Sequence, residues 1–233
     1  MYMKQLLLER GVPMNVNPYT YAYNAEMFQA VFGSDCKEAK DALKVFLETF
    51  TERKVTYLER HPENLPEDLP EDKVELAKII RDSRIKLFVE FDGKEKAEFD
   101  IQLGLWLSPK DFNGELIRRF IRKGMNISSQ DSLISQMNLY SKQIPDVEGI
   151  VHGNRVQCEI TGSYTVQREI GDLIFVEFEK ADATKEVKDM NRQEKLSYYI
   201  LHCAQRDEKV KEIVESDSQI QIFDHRVKQA QKI

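Results

Sequence analysis

The sequence predicts an α/β (α+β) fold, a central mixed sheet flanked by helices, with a helical C-terminal portion. Three observations carry that prediction. Residues 84–103 alternate apolar and polar side chains on both sides of Asp92-Gly93, the period of a half-buried hairpin. Ala39, Ala42, Leu43, Phe46, Leu47 and Phe50 recur at three- and four-residue spacing and build one apolar helix stripe. Strand-like stretches occupy the middle of the chain and helical ones its two ends.

In chain order, residues 1–23 mix Pro13 and Pro18 with Tyr19, Tyr21 and Tyr23 without a period, an irregular lead-in. Asn24 is a good N-cap and Gly33 a good stop, so a helix is expected between them. The amphipathic helix over 39–50 follows, and Lys54 to Leu58 reads as a short strand. From His61 to Asp72 the chain carries Pro62, Pro66 and Pro70 with five acidic residues and no lysine or arginine. Proline breaks ladders and like charges repel, so this is a solvated loop.

The register of the hairpin follows from its apolar face. A two-residue turn would set Ile85 opposite Asp100 and mix the faces. A three-residue loop, Asp92-Gly93-Lys94, pairs Val89 with Ala97, Leu87 with Phe99 and Ile85 with Ile101, and sets Lys86 across from Asp100. Beyond Pro109, Leu116, Ile117, Phe120 and Ile121 form the inner side of a helix whose other side carries Arg118, Arg119, Arg122 and Lys123. A second helix is expected over 131–143, then strands near 155–160 and 173–179. From Lys185 onward the reading is helical, with Leu196, Tyr199, Ile200 and Cys203 as a stripe. The division is a lead-in over 1–23, a domain over 24–180 and a helical extension over 181–233.

Composition narrows the class. The chain has 233 residues, and its 12 phenylalanines and 9 tyrosines are too many for a disordered chain. With 34 basic against 40 acidic residues the net charge is −6, so contact with nucleic acid has to come through a local basic patch. Cys36, Cys158 and Cys203 are odd in number and widely spaced, neither a disulfide framework nor a zinc site, which fits a reducing cytoplasm. The apolar run Gln5-Leu6-Leu7-Leu8 is far too short to span a bilayer, so no membrane association is expected. There is no glycine-rich phosphate loop, hence no expected nucleotide cofactor, and no nucleophile elbow. His61, His152, His202 and His225 share no ligand spacing, and Trp106 reads as a packing residue.

Chemistry concentrates on the hairpin. Asp100 and Gln102 lie two residues apart on one strand, on the same side. Upstream, Phe28-Gln29-Ala30-Val31-Phe32-Gly33 ends the first helix, and Arg84-Ile85-Lys86 opens the hairpin. After the basic stretch Arg118 to Lys123 comes the apolar run Asp172-Leu173-Ile174-Phe175-Val176-Glu177-Phe178. In order and spacing, over roughly residues 14–220, these motifs resemble the PD-(D/E)XK nuclease family transposases, also called recombination-promoting nucleases. The resemblance implies a restriction-endonuclease-like core over 24–180 and a Mg²⁺-dependent DNA endonuclease of a mobile element. In it Asp100 holds the metal and Gln102 or Lys86 places the attacking water, with an arginine of the basic helix, Arg118 or Arg119, near the site.

This chain departs from that pattern. Lys86 stands where the family has a metal-binding aspartate, and Asp100 where it has a glutamate. The acid expected three residues before Phe28 is Ala25, with Glu26 beside it as a stand-in ligand. Mg²⁺ takes oxygen ligands in near-octahedral geometry, and a protonated lysine supplies none. At contact distance it also repels the cation by about a few kcal/mol at intermediate dielectric. Two readings of Lys86 therefore stand side by side: a displaced catalytic lysine, or the cation of a cross-strand ion pair with Asp100 that replaces the metal. Three function classes follow: a metal-dependent DNA endonuclease, a DNA-binding module on a decayed nuclease fold, or an interaction protein that forms an oligomer through the helices from Lys185 to Ile233. The basic run Arg118, Arg119, Arg122 and Lys123 is the expected DNA contact.

Overall fold

The computed structural model describes residues 25–61, 83–103, 133–140, 148–161 and 165–231. Two helices, α1 (Ala25–Phe32) and α2 (Lys37–Thr51), precede six strands: β1 (Val55–His61), β2 (Arg84–Phe91), β3 (Glu95–Leu103), β4 (Leu133–Tyr140), β5 (Val151–Thr161) and β6 (Thr165–Glu177). Three helices close the chain, α3 (Arg192–His202), α4 (Glu208–Ser216) and α5 (Ser218–Ala230). The strands form one mixed sheet in the order β1-β2-β3-β4-β6-β5. Strand β2 runs antiparallel to both β1 and β3, β4 runs parallel to both β3 and β6, and β5 returns antiparallel beside β6. The α/β class is thus the one the sequence predicts.

The β2–β3 hairpin has the expected register: Val89 faces Ala97, Leu87 faces Phe99, Ile85 faces Ile101 and Lys86 faces Asp100. Its loop is Asp92-Gly93-Lys94, with Asp92 and Gly93 both at positive φ (55° and 67°), a conformation that glycine adopts freely and aspartate tolerates. The Asp92 carboxylate accepts the Lys54 backbone N–H at 3.1 Å, which ties the turn to the start of β1.

One expectation is corrected. Residues 133–140 form β4, not a helix within 131–143. The stretch is a parallel inner strand, and Ser135, Met137 and Leu139 are buried on one side while Asn138 is buried on the other. A strand covered on both faces loses the alternation that marks a strand in sequence, and Leu133, Met137 and Tyr140 happen to fall at helical spacing.

Ile85, Leu87, Val89 and Phe91 of β2 and Phe99, Ile101 and Leu103 of β3 pack with the helices in one hydrophobic cluster. The C-terminal helices belong to that cluster. Phe223 of α5 lies 5.7 Å from Phe32 and 5.9 Å from Tyr199 between ring centroids, and Phe46 meets Phe32 edge-on at 5.3 Å. Each of these helices starts on a side-chain cap. Asn191 and Glu194 form a reciprocal capping box on α3, Asp207 accepts the Val210 N–H on α4, and Asp217 accepts the Gln219 N–H on α5.

Candidate functional site

The apolar side chains of β2 and β3 fill one sheet face, so alternation sends Arg84, Lys86, Asp100 and Gln102 to the other. The parallel pairing of β3 with β4 extends this polar row. Asp100 stands beside Gln136 and Gln102 beside Asn138. Gln136 Nε2 donates to Gln102 Oε1 at 3.3 Å and to Asn138 Oδ1 at 3.1 Å, and Asn138 Nδ2 donates to the Ile174 carbonyl of β6 at 3.3 Å. Asn138 is fully buried, and these bonds are what make its burial tolerable.

Asp100 is the charged centre of the row, with 3% of its surface exposed. Its carboxylate is held by the Arg84 guanidinium through two bonds, Nε to Oδ1 at 2.6 Å and Nη2 to Oδ2. This is the two-pronged geometry in which arginine binds a carboxylate most strongly. Arg84 faces Gln102 in the ladder, so the side chain reaches diagonally to Asp100. Lys86, the direct cross-strand neighbour of Asp100, lies half-buried on the same face.

These residues do not fit Mg²⁺. Both oxygens of Asp100 point into a guanidinium, and a cation bound there has to displace Arg84 beside the Lys86 ammonium. Among the described residues no group of three or more His, Cys, Asp or Glu side chains is placed to hold a metal. Glu26 lies in the first turn of α1, and its side chain is outside the described set. Arg118, Arg119, Arg122 and Lys123 also lie outside the described residues, so the structure brings together Lys86, Asp100 and Gln102 alone of the sequence-predicted site.

Three groups that the sequence reading did not assign to the site join this face. Arg84 was visible within the Arg84-Ile85-Lys86 motif, and the diagonal step to Asp100 is the signal that would have paired them. Gln136 and Asn138 were hidden by the helical reading of their segment. Farther along the sheet, the fully buried Glu177 receives Lys180 Nζ at 2.8 Å and lies 2.5 Å from His152 Nε2. The His152 ring stacks on Phe175 at 5.2 Å. His152 is thus tied to a carboxylate by a contact between β5 and β6, as a satisfied interior histidine is.

No helix among the described residues is long and apolar enough to cross a membrane. Compared with protein-family models, with curated proteins and with solved structures, the chain matches none.

Proposed function

We propose that this chain is a catalytically silent relative of the PD-(D/E)XK transposase nucleases that binds DNA without cutting it. The observation that carries the silent half is the Arg84 guanidinium seated on both oxygens of a buried Asp100. In a metal-dependent nuclease that carboxylate holds the cation that polarises the phosphodiester. Here a permanently charged side chain of the protein occupies its lone pairs, and Lys86 stands where a second carboxylate is needed. The nuclease reading is further supported by topology: a helix, three antiparallel strands and a fourth strand parallel to the third put Lys86, Asp100 and Gln102 on one face.

The DNA half rests on the sequence, where four basic residues in six, Arg118, Arg119, Arg122 and Lys123, interrupt an acidic chain. The test pairs binding with cleavage. Anisotropy of a short labelled duplex at low salt should report binding that weakens steeply as salt rises. Supercoiled plasmid incubated with Mg²⁺ or Mn²⁺ should stay intact. Nicking that Asp100→Asn abolishes would overturn the silent reading. Failure to bind at low salt would overturn the DNA reading and leave an assembly role for the helical portion.

A further inference from the structure

Three side chains are buried on the polar face of the sheet, although the hydrophobic cluster shared with the helices lies on the opposite face. Asp100 is 3%, Asn138 0% and Leu173 5% exposed. Leu173 stands beside Gln136 in the β4–β6 ladder, and Gln136 beside Asp100, so all three belong to the same face. Side chains on one sheet face stand side by side, and their tips meet whatever lies above the sheet. Interior residues on three adjacent strands therefore require a layer of protein over them.

The connection from β3 to β4 can supply that layer. The two strands are parallel neighbours, so the chain leaving Leu103 has to return to the other end of the sheet before it enters β4 at Leu133. Residues 104–132 lie outside the described residues, but both ends of the crossing are placed, and chirality selects its face. On a strand running upward, an L-residue whose side chain points at the viewer directs its N–H and C=O to the right. Leu103 is such a residue when the sheet is seen from the apolar face, and its N–H is donated to the Ser83 carbonyl on the β2 side at 2.9 Å. Strand β2 therefore lies to the right of β3, and β4 to its left. A leftward crossing in front of the sheet is left-handed, and the same crossing behind it is right-handed. Right-handed crossovers make up about 98% of such connections. The chain accordingly passes behind, over the face of Asp100.

The sequence of the crossing has a side to match. Leu116, Ile117, Phe120 and Ile121 form one apolar stripe at helical spacing, and Arg118 and Arg122 fall on the opposite side. We propose that residues 104–132 pack on the Asp100 face of the sheet, with the stripe seated over Asn138 and Leu173 and with Arg118 and Arg122 turned outward. A helix with its side chains is about 10 Å across, so DNA held by the outer arginines is kept that far from Asp100. This consequence rests on the DNA reading, whereas the placement rests on topology and burial. It is a reason for catalytic silence separate from the Arg84 guanidinium.

The test uses the full chain with Phe120→benzoylphenylalanine, irradiated and mapped by mass spectrometry. The photoprobe should join Gln136, Asn138, Leu173 or Phe175, whereas Arg118→benzoylphenylalanine should leave the sheet unmarked. Mixing isotope-labelled with unlabelled chains identifies joins between copies. Cross-links from residue 120 to α2 or α5, to a second copy, or to no strand at all would overturn the placement. Thiol labelling is the second measurement. Leu173 and Met137 are both buried but on opposite faces, and maleimide labelling of Leu173→Cys and Met137→Cys is read peptide by peptide. Adding Phe120→Asp should speed labelling at position 173 by at least about tenfold and leave position 137 unchanged. Equal acceleration at both positions, or none at either, would mean that the segment does not cover this face. Should Phe120→Asp fail to fold, the cross-links decide. Anisotropy of a labelled duplex is read on the same protein. Cross-links at the expected positions without DNA binding would keep the placement and remove the DNA reading, and DNA binding with cross-links elsewhere would do the reverse.

Discussion

Arg84 and Asp100 form a two-pronged pair whose partners are unequally buried: the Asp100 side chain is 4% exposed and that of Arg84 21%. The two residues are diagonal neighbours on adjacent antiparallel strands, with Lys86 directly across from Asp100. Two cationic residues therefore surround one interior carboxylate. The inequality in burial decides what removing each partner does. A guanidinium left behind can turn toward water, whereas a carboxylate left behind stays inside the protein.

Arg84→Met should accordingly destabilise the fold more than Asp100→Asn does. The first leaves a buried charge without its principal partner and is expected to cost about 3 kcal/mol or more. The second keeps an acceptor for the arginine and is expected to cost about 1 kcal/mol. Urea denaturation of both variants checks the order. Equal losses would mean that Lys86 takes over the pairing when Arg84 is gone.

A chain ending at Lys180 should not fold. It retains all six strands and both N-terminal helices. It loses Phe223, which packs on Phe32 and Phe46, and Tyr199, which packs on Phe223, and it loses Arg226, which satisfies the end of α1. Within the full chain, Phe223→Ala alone is expected to cost about 3–5 kcal/mol, because it empties a fully buried ring site shared by three other rings. Near-ultraviolet circular dichroism of the truncated chain decides the matter. A native-like spectrum with a cooperative melt would show that residues 24–180 stand alone.

The hairpin was legible because one face is buried and the other is not. That condition makes alternation visible at Ile85, Leu87, Val89 and Phe91 and fixes the pairing of Lys86 with Asp100. Strand β4 was not legible, because Met137 and Asn138 are both buried although they point to opposite faces. The site was half legible for a related reason. Asp100 and Gln102 share a strand, so local spacing finds them. Arg84 reaches Asp100 diagonally and Gln136 reaches Gln102 through a parallel pairing, neither of which leaves a local pattern. The C-terminal helices were read correctly as helices, but a stripe says only that an apolar face exists, not that Phe223 fills the space between Phe32 and Tyr199.

Acid should weaken the fold through a cluster at the far end of β3. Glu95 accepts from Arg53 at 2.8 Å and from Arg155 at 3.2 Å, and Arg155 also binds Asp172 at 2.5 Å. Burial opposes ionisation of Glu95, but the hydrogen bonds and charges of Arg53 and Arg155 outweigh it and hold the carboxyl below its ordinary 4.5. The hydrogen bond to Asp172, against the opposing effect of burial, raises Arg155 above its usual value. With the folded value of Glu95 below the unfolded one, the unfolded chain binds the proton first as pH falls. The stabilisation is therefore complete above about pH 5 and is lost as pH drops through 4.5 and the lowered folded value. Glu95→Gln should be less stable than the parent at neutral pH, and the gap should shrink near pH 3. A constant gap in urea midpoint across that range would remove Glu95 from the acid response.

DNA affinity should depend on salt through the basic run in a way that can be counted. Each phosphate neutralised by a lysine or arginine releases condensed counterions, so the logarithm of affinity falls linearly with the logarithm of salt, with a slope of about −0.9 per contact. Arg118 and Arg119 fall on adjacent sides of their predicted helix, so at most one face need touch the backbone. If both contact phosphates, Arg118→Ala combined with Arg119→Ala should reduce the magnitude of the slope by about two; if one does, by about one. The loss should be the same for duplexes of unrelated sequence, because phosphate contacts carry no base information. Anisotropy titrations at several salt concentrations give the slope directly. A double variant with the parental slope and affinity would mean that the run is a solvated helix face, and that the DNA reading has to be sought elsewhere on the chain or abandoned.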